Sequence, residues 1–120
     1  MNFLIVALGG GLGAITRSIV SNRWNTGRLH FPKGTWIANI SGSLLLALII
    51  AFHINERISE GMWLFAGVGF CGAYTTFSTF GKETVHLIIE GHVKKALLYV
   101  LSSLLFSLTT VVIVFLLFLT

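Results

Sequence analysis

The sequence predicts an all-α membrane protein of four transmembrane helices, the third of them broken. Three observations carry that prediction. First, the 120 residues are 55% hydrophobic and only 10% charged, with a mean hydropathy of +0.90. The surface of a soluble domain takes about 25% charged residues. Second, four apolar segments run at about Asn2–Val20, Thr35–Ile54, Met62–Gly81 (with a mixed extension to Glu90) and Ala96–Leu119. Each reaches the roughly 20 residues that cross a ~30 Å hydrocarbon core. Third, Gly67, Gly69, Gly72 and the Thr75-Thr76 pair gather weak helix formers in the middle of the third segment. With no linker or long polar stretch, residues 1–120 read as a single domain without room for a catalytic one.

The first segment does not read as a cleaved leader. It lacks a basic start, and Arg17 stands where a small-residue cleavage site is expected. Gly9 and Gly13 are four apart and share one helix face, a spacing that lets another helix approach closely. Arg17 lies one turn from the segment's end. It can snorkel to the interface, or it can attract anions or brace a contact.

The second segment sets Thr35, Asn39 and Ser43 at intervals of four, on one stripe, with Gly42 leaving room beside it. Asn39 admits two roles. Its amide can bond a neighbouring helix, or it can offer N–H donors to a passing anion.

In the third segment a helix break would free backbone groups that need a partner. Carbonyls there suit a cation, and the N-terminus of the restarted helix favours an anion. Phe77 and Phe80 share a face, with Ser78 and Thr79 between them. Two such rings pack, or they turn an electropositive edge towards an anion.

The fourth segment aligns Tyr99, Ser103, Ser107 and Thr110, while Ser102 and Thr109 form a narrower second row. Such hydroxyls associate helices, or they make a ladder of weak donors of the kind that conduction requires.

Cys71 is the one cysteine, so no internal disulfide framework exists, and it reads as a close-packing residue. His30, His53, His86 and His92 show no metal-ligand spacing. No nucleophile–base pair sits at depth, so the chain is not read as an enzyme. Seven of the eight lysines and arginines fall on one side: Arg23, Arg28, Lys33, Lys94 and Lys95, with Arg17 and Lys82 at the edges. Only Arg57 falls on the other. The positive-inside rule then places both connections in the cytoplasm and both termini outside a cell membrane. Basic flanks of membrane spans account for the charge, and no nucleic-acid partner is called for.

The motif order resembles the fluoride-channel family known as Fluc or CrcB. The glycine-rich start ending in Arg17 is similar to that family's first helix. Residues 36–43, Trp-Ile-Ala-Asn-Ile-Ser-Gly-Ser, are similar to its second-helix motif. Residues 69–80, with the run Thr-Thr-Phe-Ser-Thr-Phe, match its most specific signature. The resemblance implies an antiparallel dual-topology dimer with two pores, in which fluoride leaves the cell passively. It implies a structural sodium ion at the centre of the dimer interface, held by the carbonyls of Gly72 and Thr75. It puts Asn39, Phe77, Phe80, Ser78, Thr79, Tyr99, Ser103 and Ser107 on the fluoride pathway, and Arg17 at a vestibule or interface. The fourth-helix positions rest on spacing alone. The one-sided charge departs from a homodimer that must insert both ways. It favours a heterodimer with a second Fluc-like subunit facing the opposite way.

Two rival classes are weighed. A small four-helix multidrug-type transporter needs an embedded acid, yet the first two segments hold no Asp or Glu and Glu83 lies at the edge of the third. A non-transporting membrane assembly protein would use the glycine faces and hydroxyls for packing alone.

Overall fold

Among the described residues, four apolar segments become five helices, because the third is interrupted. The computed structural model describes residues 2–24 and 31–120; Arg28 and His30 of the first connection lie outside them. The helices are α1 (Asn2–Trp24), α2 (Lys33–Ile54), α3 (60–74), α4 (Ser78–Ile89) and α5 (Val93–Phe118). No strand occurs among the described residues. Helices α1, α2 and α5 are long and apolar enough to cross a membrane singly. Neither α3 nor the 12-residue α4 reaches the required length, and the fourth expected span is the two taken end to end. The long axis measures 48 Å, more than the ~30 Å of a hydrocarbon core.

Several boundaries differ from the sequence reading. Helix α1 continues past Val20 to Trp24, since no proline or glycine intervenes. Arg23 therefore sits in its last turn, over the Trp24 ring at 5.6 Å, and not in a loop. Helix α4 runs on to Ile89, which places Glu83 well inside a helix and not at a segment edge.

Two helix ends close with the same six-residue hydrogen-bond pattern. After α4, His92 N–H bonds Leu87 O at 2.8 Å and Gly91 N–H bonds Ile88 O at 3.1 Å, with Gly91 at φ +86°. After α2, Arg57 N–H bonds Phe52 O at 2.8 Å and Glu56 N–H bonds His53 O at 3.1 Å. The left-handed residue there is Glu56, at φ 58°, where glycine is the usual occupant.

Helix α3 is not uniform. Glu60–Met62 opens it, capped by the Ser59 hydroxyl, which accepts from Met62 N–H at 3.1 Å. Trp63–Cys71 is wound as a π-helix, and Gly72–Tyr74 returns to α geometry. The π winding bonds residues five apart. Phe65 and Phe70, five apart, accordingly present their carbonyls to the same neighbour, α1. A Cβ built on Gly9 would lie 2.1 Å from Phe65 O, and one on Gly13 would lie 2.2 Å from Phe70 O. From the other side, a Cβ on Gly69 would lie 2.6 Å from Val6 O. The two helices therefore cross backbone to backbone, as the glycine spacing in the first segment predicts.

Helix α2 packs against α1, α3 and α5. One apolar cluster joins Ala47 and Ala51 of α2 to Val114 of α5. A second joins Leu87, Ala96 and Tyr99, with Phe31, Trp36 and Phe80 against it. Trp36 Nε1–H also donates to Ser102 Oγ at 3.0 Å, so the narrow polar row of the fourth segment does meet another helix there. Thr109 instead bonds Leu105 O of its own helix. Leu8, Leu12, Ile15, Leu101, Leu105 and Leu108 all face outward. Such a surface is unfavourable in water, at about 25 cal/mol per Å² of apolar area, and carries no such penalty in lipid.

Candidate functional site

The interruption lies at Thr75–Phe77. Thr75 is extended, at φ −80° and ψ 155°, and the helical path stops. Its own N–H and hydroxyl both return to Cys71 O, at 3.1 and 2.9 Å. The next residue is held from α2. Asn39 Nδ2–H donates to Thr76 O at 2.9 Å, and Asn39 Oδ1 accepts from Thr76 N–H at 2.8 Å. One side-chain amide thus replaces both helical bonds that Thr76 has lost. Thr76 in turn restarts the chain, its Oγ1 accepting from Thr79 N–H at 3.2 Å. Thr79 is the second residue of α4, so the Thr76 hydroxyl satisfies one of the N–H groups that the helix start leaves open. Gly81 N–H to Phe77 O, at 2.9 Å, follows.

Carbonyls remain. Among the described residues, no backbone N–H returns to the oxygens of residues 72–75. Gly72 is exposed, and nothing lies within 4 Å of a Cβ built on it. Uncharged carbonyl oxygens on an open edge are a hard donor set and fit a hard cation such as sodium.

The predicted pathway residues fall into a connected group and two outliers. Ser78 is exposed in the first turn of α4, and Thr79 is half-buried. Phe77 is 85% exposed, while Phe80 is half-buried with its ring 6.4 Å from that of Phe77. Phe80 packs on Tyr99 at 4.9 Å. Tyr99 is fully buried, and its hydroxyl donates to Glu83 Oε1 at 3.4 Å. One turn on, Ser103 is 5% exposed, and its hydroxyl has no hydrogen-bond partner among the described residues. Asn39, the break, the two rings, Tyr99 and Ser103 therefore follow one another. Ser107 and Arg17 are half-buried, and among the described residues no hydrogen bond or ring contact joins either of them to the break.

Three features escaped the sequence reading. Thr35, fully buried, lies beside both Glu83 and Tyr99. The signal for this was Glu83 itself, an ionisable side chain within an apolar stretch. Tyr74 bonds Ser41 across the α2–α3 contact at 2.9 Å. The π winding of Trp63–Cys71 has no sequence signature beyond its glycines.

A small polytopic helical protein with one span interrupted at mid-course is of the class in which ions or small solutes meet freed backbone groups inside the membrane. Residues 4–115 match the profile of the family described as CrcB-like protein, Camphor Resistance (CrcB). The chain belongs to that family. It is 38% identical to a protein of Saccharophagus degradans named fluoride-specific ion channel FluC, over 92% of this chain and 84% of that one. It is 44% identical to fluoride-specific ion channel FluC 2 of Moorella thermoacetica, over 88% and 86% respectively. It is 43% identical to fluoride-specific ion channel FluC 2 of Bacillus subtilis, over 82% and 73%.

Proposed function

We propose that the chain is a subunit of a fluoride-selective channel that lets cytoplasmic fluoride leave passively, down its electrochemical gradient. The names of its relatives support this, and the break carries it: a helix interrupted at mid-membrane, braced by one amide and followed by hydroxyls and two phenylalanines. Fluoride is small and strongly hydrated, so a path must replace its water with closely spaced donors. Asn39 has two N–H donors and spends one on Thr76. The second, with the hydroxyls of Ser78, Thr79, Ser103 and Ser107, supplies donors without fixed charge, while Tyr99, whose proton goes to Glu83, flanks the path through its ring contact with Phe80. The electropositive edges of Phe77 and Phe80 add weak attraction. Fluoride that enters an acidified cell as neutral HF dissociates inside, and the membrane potential drives the anion out.

In the same reading, Gly72 and Thr75 hold a structural sodium ion through their carbonyls, at the contact with a second, opposite-facing chain. When bound, the ion offsets the negative ends of the freed carbonyls and the dehydration of a nearby anion. The charge bias favours a separately encoded partner, with both termini of this chain outside. Cysteine accessibility read from either side of the membrane checks the orientation: two equally populated orientations exclude a fixed one.

Purified protein in potassium fluoride-loaded liposomes tests the function. The expected result is rapid valinomycin-dependent fluoride efflux with chloride retained, from this chain alone or with its partner. Retention of both ions points to an assembly protein, and exchange of organic cations for protons points to the multidrug class.

A further inference from the structure

We propose that Tyr74 is a positioning residue for the ion path, acting through Ser41 on the conformation of the break. This rests on the channel reading above. Tyr74 is the last residue of α3 before the chain turns extended, and it is 8% exposed. Its hydroxyl lies 2.9 Å from Ser41 Oγ. Ser41 has one proton, and its Oγ already donates to Ile37 O at 2.6 Å. The Tyr74 O–H is therefore the donor, and Ser41 is a fixed acceptor with little rotational freedom.

The ring is held as well. It stacks on Phe70, with centroids 5.6 Å apart and planes at 20°. It also covers Gly42, where an added Cβ would meet Tyr74 Cδ2 at 3.1 Å and Thr75 Cγ2 at 2.4 Å. Helix α2 thus grips three consecutive residues of the break. Ser41 holds Tyr74, Gly42 admits Thr75, and Asn39 holds Thr76 by two bonds. The Asn39 grip fixes Thr76, and the Cys71 carbonyl ties Thr75 to α3, but neither holds the end of α3 against α2, so the chain can still pivot at Thr75. The Tyr74 catch anchors the other side of that pivot. With both ends held, the backbone carbonyls of residues 72–75 keep one orientation.

A hydroxyl so placed touches no permeating ion. Its loss should alter how sharply the site discriminates between anions, because a pivot released at one end widens the range of geometries that the path samples. Packing should change little, because Tyr74→Phe keeps the ring.

The test uses the assembled channel, with wild type, Tyr74→Phe, Ser41→Ala and the double variant. Two readouts are taken: the fluoride-to-chloride permeability ratio from reversal potentials, and hydrogen–deuterium exchange of a peptide covering residues 75–77. Each single variant should lower the permeability ratio about three- to tenfold, the range one neutral hydrogen bond is worth. Each should also speed exchange at the break, and the double variant should be no worse than either single one. The thermal midpoint should move little. Wild-type selectivity and exchange in Tyr74→Phe, or losses that add in the double variant, would overturn the proposal. If wild type conducts no fluoride, the channel reading fails, and the exchange data alone still decide whether the catch holds the break.

Discussion

At the scale of the residue, the structural work of Asn39 is set by its two bonds to Thr76, and the proposed transport role adds to it. Its amide orientation is forced, because Thr76 offers it one N–H and one carbonyl. Asn39→Asp keeps the acceptor and removes the donor, leaving a carboxylate facing the Thr76 carbonyl. A buried group stripped of its partner costs about 1–3 kcal/mol. We expect this variant to melt several degrees lower and to carry no fluoride; robust flux would contradict both roles of the amide. Phe80 differs from Phe77 in being tied to the core through Tyr99. Phe80→Ile forfeits that ring pair, worth about 0.5–1.5 kcal/mol, and one aromatic edge on the proposed path. Fluoride efflux should fall sharply while the size-exclusion profile stays that of wild type; unchanged efflux would remove the ring from the mechanism.

At the scale of the element, much was readable because glycine and threonine act locally. Gly9 and Gly13 announced a close crossing by spacing alone, and Gly67 to Thr76 announced an interruption. The partner of Gly9 was not readable, since which helix lies opposite is decided by tertiary packing. Nor was the Tyr74–Ser41 bond, because 33 residues separate the two and neither type is unusual where it stands. Glu83 was misplaced because apolar periodicity fades after Gly81, whereas the helix itself runs on to Ile89. The glycines can be told apart by experiment. Gly9→Ala puts a methyl group onto the Phe65 carbonyl and should destabilise by about 1–3 kcal/mol or more. Gly11→Ala meets nothing within 4 Å and should be neutral or slightly stabilising. Equal melting temperatures for the two variants would argue against the crossing.

At the scale of the whole molecule, the Gly72 edge is open among the described residues. An added Cβ there meets nothing in the chain itself, so Gly72→Val has no steric reason to disturb the folded subunit. If a second chain closes on this edge, the variant should retain the monomer's helix content yet fail to assemble or conduct. An active dimer of normal stability would show that the edge faces lipid. The large outward-facing leucines of α1 and α5 make the same chain unsuited to water.

The glycine crossing of α1 and α3 has a genetic corollary. Where side chains interlock, a damaging change at one position is often rescued by a smaller neighbour opposite. Here the opposing atoms are carbonyl oxygens, which every amino acid carries alike. A screen for suppressors of Gly9 or Gly13 defects should therefore return true revertants, and compensating alleles in α3 should be missing from it.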